Sequence, residues 1–149
     1  MTNLLNGSNY LKLRISVDTA DKNGTTPLHI ASKRGLVDML MFLLDNYANV
    51  NSKDKDGMTP LHYACLNNHA DIVYMLLNKK FNQKGVTIAL NETNSNGNTP
   101  LHIAASKNNF VIIDKLITVG ANTTIKNHDG KIPRDLTSSK EDYDMIVNF

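Results

Sequence analysis

The chain has 149 residues, of which 41% are hydrophobic and 20% are charged, and its formal net charge is +2. This length and composition fit one domain with a packed core, and the charge is too small to indicate nucleic-acid binding by itself. No apolar run approaches the roughly 18 residues that a membrane-spanning helix needs, and no signal-peptide pattern opens the chain.

A single cysteine, Cys65, excludes an internal disulfide. A chain without disulfides suits a reducing compartment, so we predict an intracellular protein, either cytoplasmic or nuclear. We expect neither a membrane nor nucleic acid as a partner, since only 6% of the residues are aromatic and none are interleaved with a basic run.

Two segments alternate apolar residues with other residues: Leu11, Leu13, Ile15 and Val17, then Val86, Ile88 and Leu90. A period of two is typical of strands, so we predict an extended β-finger in each segment. The apolar side of a finger either packs on neighbouring residues or waits for a partner strand, and the sequence leaves both interpretations open.

The chain contains four tight turns, at Lys22-Asn23-Gly24, Lys55-Asp56-Gly57, Ser95-Asn96-Gly97 and His128-Asp129-Gly130. Asn-Gly and Asp-Gly pairs tolerate the positive φ that a hairpin tip requires. We therefore predict a hairpin loop at each of these positions.

A helix is predicted directly after each turn. The tetrapeptide TPLH begins at Thr26, Thr59 and Thr99, and a degraded copy begins at Ile132. The threonine is a good helix cap, and proline suits the first helical position, where its missing N–H costs nothing. Small residues such as Ala31 let this first helix pack close to its neighbours.

A second apolar segment follows each first helix, at 37–44, 72–77, 111–117 and 145–149. Its apolar residues recur at helical spacing, as Met39, Leu40, Leu43 and Leu44 do in the first copy. One helix pair could not bury such a stripe alone, so the repetition predicts a stacked solenoid.

These turns, TPLH helices and paired leucines resemble the ankyrin repeat family. The resemblance implies an all-α repeat solenoid in which helix-turn-helix units are joined by β-hairpin loops. We divide the single domain, 1–149, into the tail of a partial repeat, three full repeats and a C-terminal capping repeat, at 1–20, 21–53, 54–93, 94–126 and 127–149. The partial repeat favours a piece of a longer array over a half-repeat cap.

The resemblance also gives a role to His29, His62 and His102, which share one position in the repeat. It implies that each histidine bonds the threonine region and the backbone of the adjoining turn. Cys65 stands three residues after His62, but we predict that it fills a small core slot. We expect no metal and no cofactor. Phosphate-binding and nucleophile-elbow motifs are absent from the sequence, so we predict that the chain is not an enzyme.

By resemblance, the expected function is a non-catalytic module, a monomer, that binds another protein on a concave face of hairpin tips and first helices. The expected contact residues are Lys22, Asn23, Thr25, Lys33, Arg34, Lys55, Asp56, Met58, Leu66, Asn67, Asn98, Ser106, Lys107, Lys131 and Lys140. Their charge is mostly positive, which predicts an acidic partner segment anchored by Met58, Leu66 and Tyr63.

Two alternatives to this function stay open. The positive face is also consistent with a solvated surface that has no partner. The chain could also be the recruiting or regulatory domain of a larger multidomain enzyme.

Asn51 is a candidate modification site. Ankyrin repeats can be hydroxylated on an asparagine that follows a leucine by eight residues and an apolar residue directly, and Leu43 and Val50 stand at those positions. The alternative is that the Asn51 side chain bonds its own turn.

Overall fold

The computed structural model describes residues 16–80 and 86–147, apart from the side chains of residues 143 and 147. These residues contain no strand. They form seven α-helices and one 3-10 helix, in the order α1 Pro27–Arg34, α2 Val37–Asp45, α3 Pro60–Leu66, α4 Ala70–Leu77, α5 Pro100–Ser106, α6 Phe110–Thr118, the 3-10 helix Pro133–Leu136 and α7 Lys140–Val147. The predicted all-α repeat solenoid is confirmed.

The three TPLH helices begin where the sequence predicts. Thr26, Thr59 and Thr99 are the N-caps of α1, α3 and α5, and a proline opens each helix. In each case the hydroxyl oxygen of the threonine accepts the N–H of the histidine three residues later, at 3.4 Å in α1 and 3.3 Å in α3 and α5. This bond satisfies one of the N–H groups that a helix start leaves without a partner.

The core runs continuously through the stacked helix pairs. Leu28 and Leu61 are fully buried and Leu101 is 1% exposed, so the first helices point their leucines inward as predicted. Ala31 and Ala64 are also fully buried, and their small side chains let first helices approach closely. The first helices consequently pack against one another more closely than the second helices do, and the array curves toward α1, α3 and α5.

The hairpin tips stack on one another at a distance that only glycine allows. Gly57 has a φ of +71°, and a Cβ added there would lie 3.1 Å from the Cα of Asn94 in the next tip. Backbone bonds join the tips, from Lys55 N–H to Asn23 O at 2.9 Å and from Ser95 N–H to Asp56 O at 2.9 Å. Each tip is thereby held in register with the next.

The last helix pair differs from the prediction. Lys140 follows Pro133 by seven positions, whereas Val37 follows Pro27 by ten, so the first element shortens to the 3-10 helix. The second helix therefore begins at Lys140 and not at Met145. The expected position of Lys140 at the end of a first helix is wrong for the same reason. Asn108 Oδ1 fixes this junction, because it accepts the N–H groups of Ser138 and Ser139 at 2.8 and 3.2 Å.

The predicted β-finger at residues 86–90 is wrong, because these residues form a loop. Asn51 explains the difference: its Nδ2 donates to Thr87 O at 2.9 Å, and its Oδ1 accepts Ala89 N–H at 2.8 Å. The Asn51 side chain thus forms hydrogen bonds with two backbone groups that a β-strand would pair with a neighbouring strand. In the first predicted finger, residues 11–15 lie outside the described residues, as does most of the partial repeat, and Val17 is in a turn.

Among the described residues, no helix is both long enough and apolar enough to cross a bilayer.

Candidate partner-binding surface

The inner side of the array, called the concave surface below, consists of the four hairpin tips and the exposed sides of α1, α3 and α5. In the first tip, Asp21 Oδ1 accepts the N–H groups of Asn23 and Thr25 at 2.8 and 3.0 Å. Asp54, Asn94 and Asn127 make the equivalent pair of bonds in the other three tips. Every tip is therefore closed by a side chain of its own, which makes the surface rigid.

Each buried histidine ties a first helix to the next hairpin tip. His62 Nδ1 accepts Thr59 N–H at 3.1 Å, and its Nε2 contacts the carbonyl oxygen of Asn98 at 3.0 Å. His29 and His102 make the equivalent contacts, reaching the carbonyl oxygens of Met58 and Lys131 at 2.9 Å. The predicted bonding of these histidines is confirmed.

The pKa shifts of the buried histidines and of Cys65 agree with a structural role for these side chains. Burial lowers the pKa of His62 and of His102, so both rings are held neutral. Cys65 is fully buried, and burial raises the pKa of its thiol, as expected for a cysteine in a small core slot. Within residues 16–80 and 86–147, no group of histidine, cysteine or acidic residues could hold a metal ion.

Most of the predicted contact residues lie on the concave surface and are accessible. The exposed ones are Lys22, Lys33, Arg34, Lys55, Asp56, Leu66, Asn67, Ser106, Lys107 and Lys131, and the half-buried ones are Asn23, Thr25 and Asn98. Lys140 is exposed but opens α7, so it lies on a second helix and not on this surface.

Met58 is a predicted contact residue whose side chain is not accessible to a partner in the structure. Its side chain is 7% exposed, and its sulfur accepts a bond from Asn94 Nδ2 at 3.4 Å. It belongs to the core between two hairpin tips and cannot anchor a partner.

Sequence reasoning missed two residues of this surface, Ile30 and Asp21. Ile30 is 39% exposed in α1, at the position that Tyr63 occupies in α3. Tyr63 donates its hydroxyl proton to Asp54 Oδ2, and its pKa is raised by burial first and by this bond second. The repeat spacing that aligns Ile30 with Tyr63 could have identified Ile30.

The charge of the concave surface is mostly positive. Its exposed cations are Lys22, Lys33, Arg34, Lys55, Lys107 and Lys131, and its exposed anions are Asp21, Asp56 and Asp129. In the part of the chain that the structure describes, the one ion pair joins Lys53 and Glu92 at 2.6 Å, and neither residue belongs to the tips or the first helices. Among the described residues, the cations of the concave surface therefore form no ion pair and face solvent.

The sequence matches the family model described as "Ankyrin repeats (3 copies)" over residues 2–89 and 55–127. The chain belongs to the ankyrin repeat family. Ankyrin repeats generally mediate protein–protein interaction, and domains built from them are typically non-catalytic. A search of curated proteins found no match to the chain.

In this ankyrin domain, Asn51 lies away from the concave surface. Its side chain is half-buried and forms hydrogen bonds with the backbone of Thr87 and Ala89 in the next long loop. The alternative prediction, that the Asn51 side chain bonds its own turn, is therefore wrong. Its backbone N–H is the group that bonds locally, donating to Asn49 Oδ1 at 3.0 Å. Hydroxylation of Asn51 stays a prediction.

Proposed function

We propose that this ankyrin domain is a non-catalytic interaction module that binds an acidic segment of another protein on its concave surface. The observation that carries the proposal is the row of exposed cations on rigid hairpin tips and first helices, which form no ion pair with any residue that the structure describes. Lys55, Lys107 and Lys131 extend this row across successive repeats. A segment with carboxylates along its length would meet cations in several repeats at once.

Two physical arguments support an affinity large enough to measure. The tips are closed by their own side chains and joined to one another, so little conformational entropy is lost when a partner binds. Exposed charges steer association and set specificity, while apolar contacts supply much of the affinity. The exposed apolar groups available for such contacts are Leu66, 37% exposed, and Ile30, 39% exposed.

The test is selection of short random peptides displayed on a surface, with the full chain as bait. We expect enrichment of peptides rich in aspartate and glutamate. Synthetic copies should lose affinity at least about tenfold when Lys55 and Lys107 are both changed to glutamate, because two favourable charge contacts become repulsive.

The matched control reverses Lys79 and Lys80, which are exposed beyond the end of α4 and away from the concave surface. Lys79→Glu with Lys80→Glu changes the net charge equally and should leave the affinity within about twofold of the starting value. An equal loss of peptide affinity in both double variants would show that the concave surface is not the binding site. Enriched peptides without excess acidic residues would reject the acidic partner.

A further inference from the structure

A pocket of about 360 Å³ lies at the N-terminal end of the concave surface, between the first hairpin tip, α1 and α3. Its lining includes Asp21, Ile30, Lys33, Arg34 and Tyr63. A negative group and two positive groups thus share one pocket with apolar side chains.

The negative end is Asp21, whose charge the hairpin does not require. Asn94 and Asn127 close their own tips with the same two bonds and carry no charge. Asp54 is the other carboxylate at this position, and its second oxygen accepts the Tyr63 hydroxyl. Among the described residues, no hydrogen bond reaches the Asp21 carboxylate from outside its own tip. Backbone bonds from Thr25 and Asn23 lower its pKa, so it stays ionised at neutral pH.

The positive end is formed by Lys33 and Arg34 in the last turn of α1. With a rise of 1.5 Å per residue, these two residues lie roughly 10 to 12 Å along α1 from its N-cap Thr26, where the first hairpin tip meets the helix. The equivalent residues are Leu66 and the C-cap Asn67 at the end of α3 and Ser106 and the C-cap Lys107 at the end of α5, so only α1 of these three helices carries two adjacent cations here.

The floor between the two ends is apolar and fixed. Ile30 is 39% exposed and lies on the same side of α1 as Lys33 and Arg34. The Tyr63 ring is held by its bond to Asp54 and by the edge of His29, with ring centroids 5.8 Å apart. Lys33 Nζ lies 5.8 Å from the centroid of the Tyr63 ring, within range of a weak cation–π contact.

We infer that this pocket binds a partner segment that carries opposite charges at its two ends. A basic side chain of the segment lies at Asp21, an apolar side chain lies on Ile30 and Tyr63, and an acidic side chain lies at Lys33 and Arg34. This inference rests on the proposed function and adds the order of charges. An extended chain advances about 3.3 Å per residue, so roughly 12 Å separates residues about three or four positions apart. The partner segment therefore carries its basic and acidic residues at that spacing.

The test uses the same displayed peptides with three baits: the unchanged chain, Asp21→Asn, and Lys33→Gln with Arg34→Gln. Asparagine is the matched replacement for Asp21, because asparagine already closes the third and fourth tips. On the unchanged chain we expect a basic residue about three or four positions from an acidic one, with an apolar residue between them. Asp21→Asn should remove the preference for the basic residue alone, and the double variant should remove the preference for the acidic residue at that spacing.

A binding measurement then isolates the contact with Asp21. Replacing the basic residue of an enriched peptide with glutamine should weaken binding to the unchanged chain at least about fivefold and leave binding to Asp21→Asn unchanged. Asp114→Asn, at an exposed position in α6 and outside the concave surface, is the control and should behave like the unchanged chain. Acidic peptides without a basic companion would overturn this inference and leave the proposed function intact. A lack of acidic enrichment on the unchanged chain would overturn both.

Discussion

Replacing His62 with alanine is expected to lower the free energy of unfolding by about 3 kcal/mol. The His62 ring accepts Thr59 N–H and reaches Asn98 O in the next tip, and its side chain is fully buried. Alanine would leave both backbone groups without that partner and would open a cavity between two repeats. Urea unfolding of the full chain followed by circular dichroism measures the change.

His128→Ala is the control, because His128 is an exposed histidine at the fourth hairpin tip. We expect its unfolding free energy within about 0.5 kcal/mol of the unchanged chain. The free energy of unfolding of His62→Gln should lie between those of His62→Ala and His128→Ala, since glutamine at this capping position can still accept Thr59 N–H. If His62→Ala were no less stable than His128→Ala, the buried histidines would not join the repeats.

Acidification below about pH 6.5 is expected to destabilise the domain steeply. The native rings of His62 and His102 accept a backbone N–H at Nδ1, where protonation would remove the acceptor. Burial lowers the pKa of both rings below their ordinary value of 6.5, so the unfolded chain binds more protons. Stability that is present above pH 6.5 is therefore lost as the pH falls, by at most about 1.4 kcal/mol per pH unit for each ring.

Urea unfolding between about pH 7 and about pH 5.5 tests this window. The two rings together predict a free energy of unfolding that falls as the pH falls through this window. His62→Gln with His102→Gln should flatten the slope even though it lowers the stability at neutral pH. Equal stability across the window would contradict the proposed protonation state of the rings.

Two carboxyl groups also have shifted pKa values, but neither destabilises the domain as the pH falls from neutrality through this window. Backbone bonds lower the pKa of Asp21, so its contribution is present above 3.8 and is lost only below that pH. Burial raises the pKa of Asp142, so this group has the opposite sign and adds stability as the pH falls toward 3.8. The acid slope near neutrality therefore reports the rings.

The sequence predicted those parts of the fold that local chemistry determines. The threonine caps, the first-turn prolines and the inward leucines each depend on a few neighbouring residues, and the repeat supplies them three times. Cys65 was placed correctly in the core because its position is taken by a small residue in the other TPLH helices.

The errors arose where distant residues decide the local structure. The alternation of Val86, Ile88 and Leu90 indicated a strand, but Asn51, from the preceding repeat, takes the backbone groups of Thr87 and Ala89. Met58 stands where the other tips have polar residues, but its side chain packs into the core, where Asn94 of the next tip contacts its sulfur. A single sequence contains no local sign of either contact.

The pocket between the first hairpin tip, α1 and α3 could be predicted only in part for the same reason. Lys33 and Arg34 were identified from their place on the first helix. Asp21 comes from a hairpin and Tyr63 from the next repeat, and these residues meet only in the stacked structure. The order of charges along the pocket is therefore a property of the fold.

We propose that this ankyrin domain binds its partner on the concave surface. Nuclear magnetic resonance can locate the bound peptide, by recording the backbone amide shifts of the full chain while the most enriched acidic peptide is added. We expect the largest shifts at the hairpin tips and along α1, α3 and α5, including Lys33, Leu66 and Lys107. Largest shifts along α2, α4 and α6, with the tips unchanged, would contradict it.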